Sequence, residues 1–255
     1  MEPIICFGQQ PNGIFPKNFF VAKIDSARKL QREIGGKIIW FCHDSDHDHR
    51  ETKTRIESNM HKEGFVDLNF SIKNKTQRKY TPLYLKEITP EWKEETRKIL
   101  ERIVSLELLI IFYSVNETRV ADFCIEMYKR MGLLDGIDIV RSSDPRFREE
   151  AEKPEEEFID VEYDGEIVRA RCMKDGLYLH EGGDSYKKMA DMCDYSKKQV
   201  SAARDSRFPW MQSVIKATHY VYGMSEKEYI KKQQIEMVPR DEIDKKDFAF
   251  IQLLK

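Results

Sequence analysis

Residues 3 to 42 read as one supersecondary unit, and that unit limits the folds open to the chain. "PIICFG" (3–8) is an apolar run closed by glycine, as a buried strand ending in a tight turn requires. "QQPNGIFPKN" follows, rich in turn formers. "NFFVAKIDSARKLQREIGG" then sets Phe20, Ile24, Ala27, Leu30 and Ile34 at helical spacing, with Asn18 as cap and Gly35-Gly36 as stop. "KIIWFC" (37–42) is apolar after its lysine, which predicts a strand covered on both faces. Strand, helix, strand at this spacing is a βαβ unit: the strands run parallel and the crossover is right-handed.

The remaining pattern extends that unit. Residues 64–90 are irregular, with short strands expected near 65–72 and 80–85. Helices are expected over 90–106, opened by Pro90, and over 116–133; "IDIVRS" (137–142) is a further buried strand, followed by a short helical piece and the acidic linker "KPEEE". "FIDVEYDGEIVRARCMKDGLYLH" (158–180) alternates apolar and polar residues around Asp164-Gly165 and Asp175-Gly176, the pattern of a three-stranded antiparallel meander. "SYKKMADMCDYSKKQ" reads as one or two helices, "PWMQSVIKATHYVYG" as an apolar helical stripe ended by Gly223, and "SEKEYIKKQQ" as a helix with Ser225 and Glu228 in a capping box.

Composition excludes several classes. The 255 residues balance 43 Lys and Arg against 45 Asp and Glu, so no basic excess points to nucleic acid. The basic cluster "KNKTQRK" (73–79) reads as a solvated loop. The most apolar run, "LELLIIFYSV" (106–115), is about half the length that spans a bilayer, and the N-terminus has no signal-peptide pattern. Five scattered cysteines (Cys6, Cys42, Cys124, Cys172, Cys193) without CxxC spacing argue against a disulfide framework and for a cytoplasmic protein. Cys6 and Cys42, at strand ends, are expected to be inert packing groups.

Chemistry concentrates in "HDSDHDH" (43–49), directly behind the second strand. Three readings stand: an exposed loop; a metal site with Asp44, Asp46 and Asp48 as candidate ligands; or a catalytic nucleotide and substrate site. In the last, Asp46 and Asp48 hold ribose, amine or Mg2+, and His47 donates to developing phosphate charge. In an open parallel sheet this loop and the 8–15 turn would share the carboxyl edge. Gly8 and Gly13 would let backbone N–H groups approach a phosphate, the helix N-terminus near Asn18 favours an anion, and Lys23 could reach the same anion. The alternative there is an ordinary βα turn.

Three motifs in order resemble the core domain of the bacillithiol-synthesis cysteine ligase family. The first is Gly8-Gln9-Gln10 with Gly13, Phe15 and Ala22-Lys23; the second is Asp46-His47-Asp48 with Glu51, behind Trp40-Phe41. The third is Ser201, Arg207, Gln212, Tyr220, Gly223, Glu226 and Tyr229, with "VPR" (238–240) after it. The resemblance implies a single α/β domain over 1–255. Its fold would be a Rossmann-like parallel-sheet sandwich of nucleotidyltransferase type, with the 158–180 meander as a small antiparallel insertion. It implies ATP or another adenine nucleotide, with or without Mg2+, at Gly8, Gln9, Gln10, Gly13 and Lys23, and catalysis at Asp46, His47 and Asp48. Ser201, Arg207, Gln212, Tyr220 and Glu226 would bind a small substrate bearing an amine or carboxylate, with neither nucleic acid nor membrane as partner. The expected activity is that of a ligase or nucleotidyltransferase-like enzyme. The alternatives are a metal-dependent hydrolase built on the Asp/His run, and a non-catalytic ligand-binding relative.

Overall fold

A computed structural model describes residues 2–59, 62–191, 195–227, 230 and 235–251. The expected βαβ unit is present: β1 (Ile4–Gln9), α1 (Asn18–Ile34) and β2 (Lys37–Cys42), with β1 and β2 parallel and in register from Ile4↔Lys37 to Gln9↔Cys42. A small hairpin, β3 (Thr54–Glu57) and β4 (Phe65–Leu68), follows. Then come α2 (Lys75–Tyr80), α3 (Trp92–Leu100), α4 (Leu106–Ser114) and α5 (Val120–Arg130), which return the chain to β5 (Ile137–Arg141). After α6 (Pro145–Glu150), the strands β6 (Glu157–Tyr163), β7 (Glu166–Met173), β8 (Gly176–Gly182), β9 (Ser185–Ala190) and β10 (Val200–Ala202) build a separate antiparallel sheet. α7 (Arg207–Ile215), β11 (His219–Tyr222) and β12 (Glu236–Pro239) complete the chain.

The main sheet has the order β12-β11-β1-β2-β5 and is parallel throughout. β1 is central; the chain winds outward through β2 and β5 on one side, then restarts beside β1 with β11 and β12. The order therefore reverses between β1 and β11, and in sheets of this kind ligands bind outside the carboxyl ends of the strands at that reversal.

Both faces of the sheet are covered, as the uninterrupted apolar strands require. On β2, Ile38, Trp40 and Cys42 enter one core cluster with Phe20 of α1 and Tyr128 of α5, while Ile39 and Phe41 enter the other with Phe147 of α6 and Trp210 of α7. β1 divides likewise, Ile5 and Phe7 against Cys6. Each of these large side chains contributes about 1.5–3 kcal/mol by leaving water. The antiparallel sheet has its own smaller core of Ile159, Val168, Ala170, Leu177, Leu179 and Val200.

Several expectations are corrected. The sheet replacing the 158–180 meander has five strands, because Ser185–Ala190 forms β9 rather than a helix after the Gly182-Gly183 turn; residues 192–194 lie outside the described set. The apolar stripe before Gly223 is two elements. Lys216 adopts a left-handed conformation (φ 53°) that ends α7, and the Gln212 amide exchanges two hydrogen bonds with the Ala217 backbone, releasing "HYVY" as β11. The helix expected over 90–106 stops at Leu100, and α4 begins again behind Ser105, whose side chain caps Leu108 N–H. "KNKTQRK" is not loop but α2, capped by Asn74. The N-cap of α1 is Lys17 rather than Asn18. Glu228 and Tyr229, and hence the Ser225–Glu228 capping box, lie outside the described residues. Cys6, Cys42 and Cys124 are buried free thiols, whereas Cys172 is disulfide-bonded although the cysteine spacing argued against a disulfide framework. Among the described residues no helix is long and apolar enough to cross a membrane.

Candidate functional site

A cavity of about 1540 Å3 opens at the carboxyl ends of β1, β2 and β11, with α2 and the antiparallel sheet forming its far wall. Its lining carries ten Lys and Arg against eight Asp and Glu, a positive excess in a chain of net negative charge. Lys75 and Arg78 of α2, with Arg240 and Lys246, have no carboxylate within ion-pair distance among the described residues.

At the sheet reversal, a hydrogen-bond and ion-pair network centred on Lys23, Tyr220 and Glu226 bolts β1 to β11. Lys23 Nζ donates to Gly8 O (2.7 Å), pairs with Glu226 (2.5 Å) and approaches Gln9 Oε1 (3.5 Å). The Tyr220 hydroxyl accepts from Gly8 N–H (3.1 Å) and donates to Glu226 Oε1 (3.2 Å), while Glu226 Oε2 accepts from Gly223 N–H (2.6 Å). The close approach needs glycine at position 8: a Cβ there would stand 2.6 Å from the Tyr220 hydroxyl and 2.7 Å from His43 Nε2. Lys23 thus has all three N–H groups engaged within the protein. The α1 N-terminus is likewise occupied, since the N–H groups of Asn18 and Phe19 donate to Phe248 O and Lys246 O.

The second cluster joins the two sheets. Asp46 Oδ2 accepts from Arg207 Nη2 (3.0 Å), and Oδ1 accepts from His47 N–H (2.7 Å) and faces Arg169 Nη1 (3.8 Å). Burial alone would raise the Asp46 pKa, but Arg207 and Arg169 outweigh it and hold the carboxyl far below the usual carboxylate range. Arg169 lies on β7 and is stacked on Phe158 (4.0 Å); it donates from Nε to Ser201 Oγ (3.1 Å) and from Nη2 to Ala202 O (2.7 Å). Burial pushes its pKa down to about 10 despite Asp46. His47, whose ring nitrogen is 3.5 Å from Arg169, is pushed down to about 4 by burial and that guanidinium, so it is neutral at pH 7.

The three candidate metal ligands separate. Asp44 is fully buried and does not line the cavity; it accepts from Arg141 Nε (2.5 Å), Ser142 Oγ (3.1 Å), Ser143 N–H (3.0 Å) and Ser143 Oγ (2.7 Å). It ties the end of β2 to the end of β5. Asp48 caps the short 3-10 turn His49–Thr52 through Arg50 N–H (2.9 Å) and pairs with the exposed Arg50 guanidinium. Only Asp46 of the three sits inside the cation cluster. Among the described residues no group of three or more His, Cys, Asp or Glu is arranged to hold a metal ion.

The other expected residues also divide. Gly8, Gln9, Gln10, Asp46, His47, Asp48, Lys23, Arg207, Tyr220 and Glu226 line the one cavity. Gly13 does not. It has φ 137°, and a Cβ would stand 2.4 Å from Thr54 Oγ1, so its backbone packs inward rather than toward a phosphate. Gln212 closes the end of α7, and Ser201 orients Arg169 from behind the wall. Arg207 has its partner 161 positions away in Asp46, not on the surface.

Sequence reasoning missed Arg169, Arg171, Arg240 and the α2 cations. The period-2 placement of Arg169 and Arg171, alternating with Val168, Ala170 and Cys172, was the available signal, two guanidinium groups on one face of a strand. Lys86 was also missed: fully buried, it donates to His47 O (2.7 Å) and Arg78 O (2.6 Å), fastening the loop after β2 to α2. Burial pushes its pKa down to about 7. Comparison with protein-family models and with curated proteins returned no match.

Proposed function

We propose that this chain is a nucleotide-binding enzyme of ligase or nucleotidyltransferase-like type, taking ATP or another adenine nucleotide and a small molecule with an amine or carboxylate. The observation that carries the reading is the cation-rich cavity at the reversal of an all-parallel sheet, between β1 and β11. The motif resemblance to the bacillithiol-synthesis cysteine ligases supports it independently, since Gly8-Gln9-Gln10, Asp46-His47-Asp48, Arg207, Tyr220 and Glu226 all reach this cavity.

The lining fits a polyphosphate. Arg240, Lys246, Lys75 and Arg78 offer positive charge that no carboxylate among the described residues neutralises, and Arg207 and Arg171 can pair bidentately with phosphate or carboxylate oxygens. Bound ATP, with or without Mg2+, would supply the activated phosphoryl or adenylyl group. The Asp46–Arg207–Arg169 cluster would hold a preorganised positive field beside it. The Lys23–Glu226–Tyr220 network keeps the β1 and β11 ends in fixed register while this happens.

Calorimetric titration with ATP and ADP, with and without Mg2+, tests the reading. Binding in the micromolar to millimolar range is expected, and no heat under any of these conditions contradicts it. A second reading, a ligand-binding relative without turnover, draws on one observation: Lys23, Asp46 and Asp48 already have their partners within the protein. Nucleotide binding without ATP consumption across amines, amino acids and amino sugars would favour it.

A further inference from the structure

His43 lines the cavity but belongs to neither ion-pair cluster. Its backbone is fixed, the N–H donating to Gln9 O (3.1 Å) and the carbonyl accepting from Asp46 N–H (3.3 Å). Its ring stands edge-on to Phe41, with centroids 4.7 Å apart, and reaches toward Gly8, where only the absence of a Cβ leaves room for Nε2. The residue is 6% exposed, and Nδ1 is buried with no hydrogen-bond partner among the described residues. An orphaned buried nitrogen costs about 1–3 kcal/mol, and such groups are rare enough in native structures that each calls for a bound water, a ligand or a functional use.

The surroundings say which ligand group would match. Burial first, then Arg207 and Lys23, with Arg169, push the His43 pKa well below its ordinary value, and Asp46 only partly opposes them. The ring is therefore uncharged, one donor and one acceptor nitrogen, among guanidinium and ammonium groups. The unpaired cations of the lining, Lys75, Arg78, Arg240 and Lys246 among the described residues, suit the anionic end of a ligand. An uncharged imidazole adds nothing to them there, but it is well placed to hydrogen-bond a neutral hydroxyl or amine.

We propose that His43 contacts the nucleoside end of the bound nucleotide, hydrogen-bonding an uncharged ribose hydroxyl or adenine amine, so that the phosphates turn toward the cations of the lining. The proposal rests on the nucleotide reading above and adds the orientation of the ligand. The residue is not part of the family motif, whose likeness begins at Asp46.

ATP and inorganic tripolyphosphate share the anionic end and differ in the nucleoside, so comparing them isolates the His43 contact. Calorimetry is run with both on the wild type, on His43→Phe, which keeps an aromatic ring against Phe41, and on His43→Gln, which returns a hydrogen-bonding group. The wild type should bind ATP more tightly than tripolyphosphate. His43→Phe should weaken ATP roughly three- to tenfold, the worth of one hydrogen bond, and leave tripolyphosphate unchanged, with partial recovery in His43→Gln. If the phenylalanine variant does not fold, the ring 15N shifts of His43 in the wild type carry the same test: they move with ATP and not with tripolyphosphate. Equal wild-type affinity for the two ligands, or an unchanged ATP affinity in His43→Phe, overturns the inference and leaves anion binding standing. Failure of the wild type to bind either ligand overturns the nucleotide reading and this inference together.

Discussion

Asp46→Asn removes one negative charge and almost nothing else. The asparagine oxygen can still accept from His47 N–H, so the turn after β2 keeps its local bond. What is lost is the counter-charge for Arg207 and Arg169, whose side chains are 15% and 4% exposed. Breaking a buried ion pair by removing one partner costs about 3–5 kcal/mol, because the remaining charge stays buried without compensation. Asp46 and Arg207 retain some solvent, which sets the expectation at the lower end, about 3 kcal/mol. For a chain of this size that is a loss of roughly 6–12 °C in Tm. The sign with pH follows from the depressed folded-state pKa of Asp46: its contribution is complete above about pH 4, the ordinary carboxylate range, and fades as pH falls below it. Urea unfolding of wild type and variant at pH 7, 4 and 2.5 should therefore show a gap at pH 7 and 4 that narrows at 2.5. The variant, with Arg207 left bare in the cavity lining, should also gain more stability from added phosphate than the wild type does. A gap under 1 kcal/mol at pH 7, or one that does not narrow in acid, refutes the reasoning.

Further expectations concern single side chains. Gly8→Ala forces a Cβ to within 2.6–2.7 Å of Tyr220 and His43, and should cost about 1–3 kcal/mol in urea unfolding while weakening nucleotide binding; wild-type stability would contradict the packing at the β1 end. Asp44→Ala and Asp48→Ala, alike by sequence, should differ sharply in thermal melts. The first strips four hydrogen bonds from a buried carboxylate and should cost several kcal/mol, and the second removes a cap and an exposed pair worth about 1 kcal/mol. Lys86 carries a folded pKa of about 7 against an ordinary 10.5, so the unfolded chain binds more protons between those values. The stability it contributes rises with pH from 7 by about 1.4 kcal/mol per unit. The wild type should therefore gain about 2 kcal/mol relative to Lys86→Met between pH 7 and 8.5, and a flat difference sinks the assignment.

What the sequence disclosed depended on how local the physics was. The β1–α1–β2 unit was legible because both faces of β2 are buried, which leaves a continuous apolar run, and because α1 keeps its apolar positions on one side. The 43–49 loop stood out for its residue types, and its place behind a strand at the carboxyl edge followed from the unit itself. Partners were not legible. Asp44 and Asp48 differ only through Arg141, Ser142 and Ser143 on one side and Arg50 on the other, contacts set by the β2–β5 register and a local turn. β11 was hidden because apolar spacing runs on across Lys216, where a single left-handed residue divides helix from strand. Arg169 reaches Asp46 from an antiparallel sheet more than a hundred positions away, and nothing short of that sheet's placement brings them together.

The central claim is that the reversal between β1 and β11 is a nucleotide site, and a crystal grown with millimolar ATP tests it most directly. Nucleotide density is expected in the cavity beside Gly8–Gln10 and the 43–49 loop, with phosphates against the cations of the lining. Nucleotide bound elsewhere on the molecule, or a cavity holding only solvent at that concentration, would contradict it.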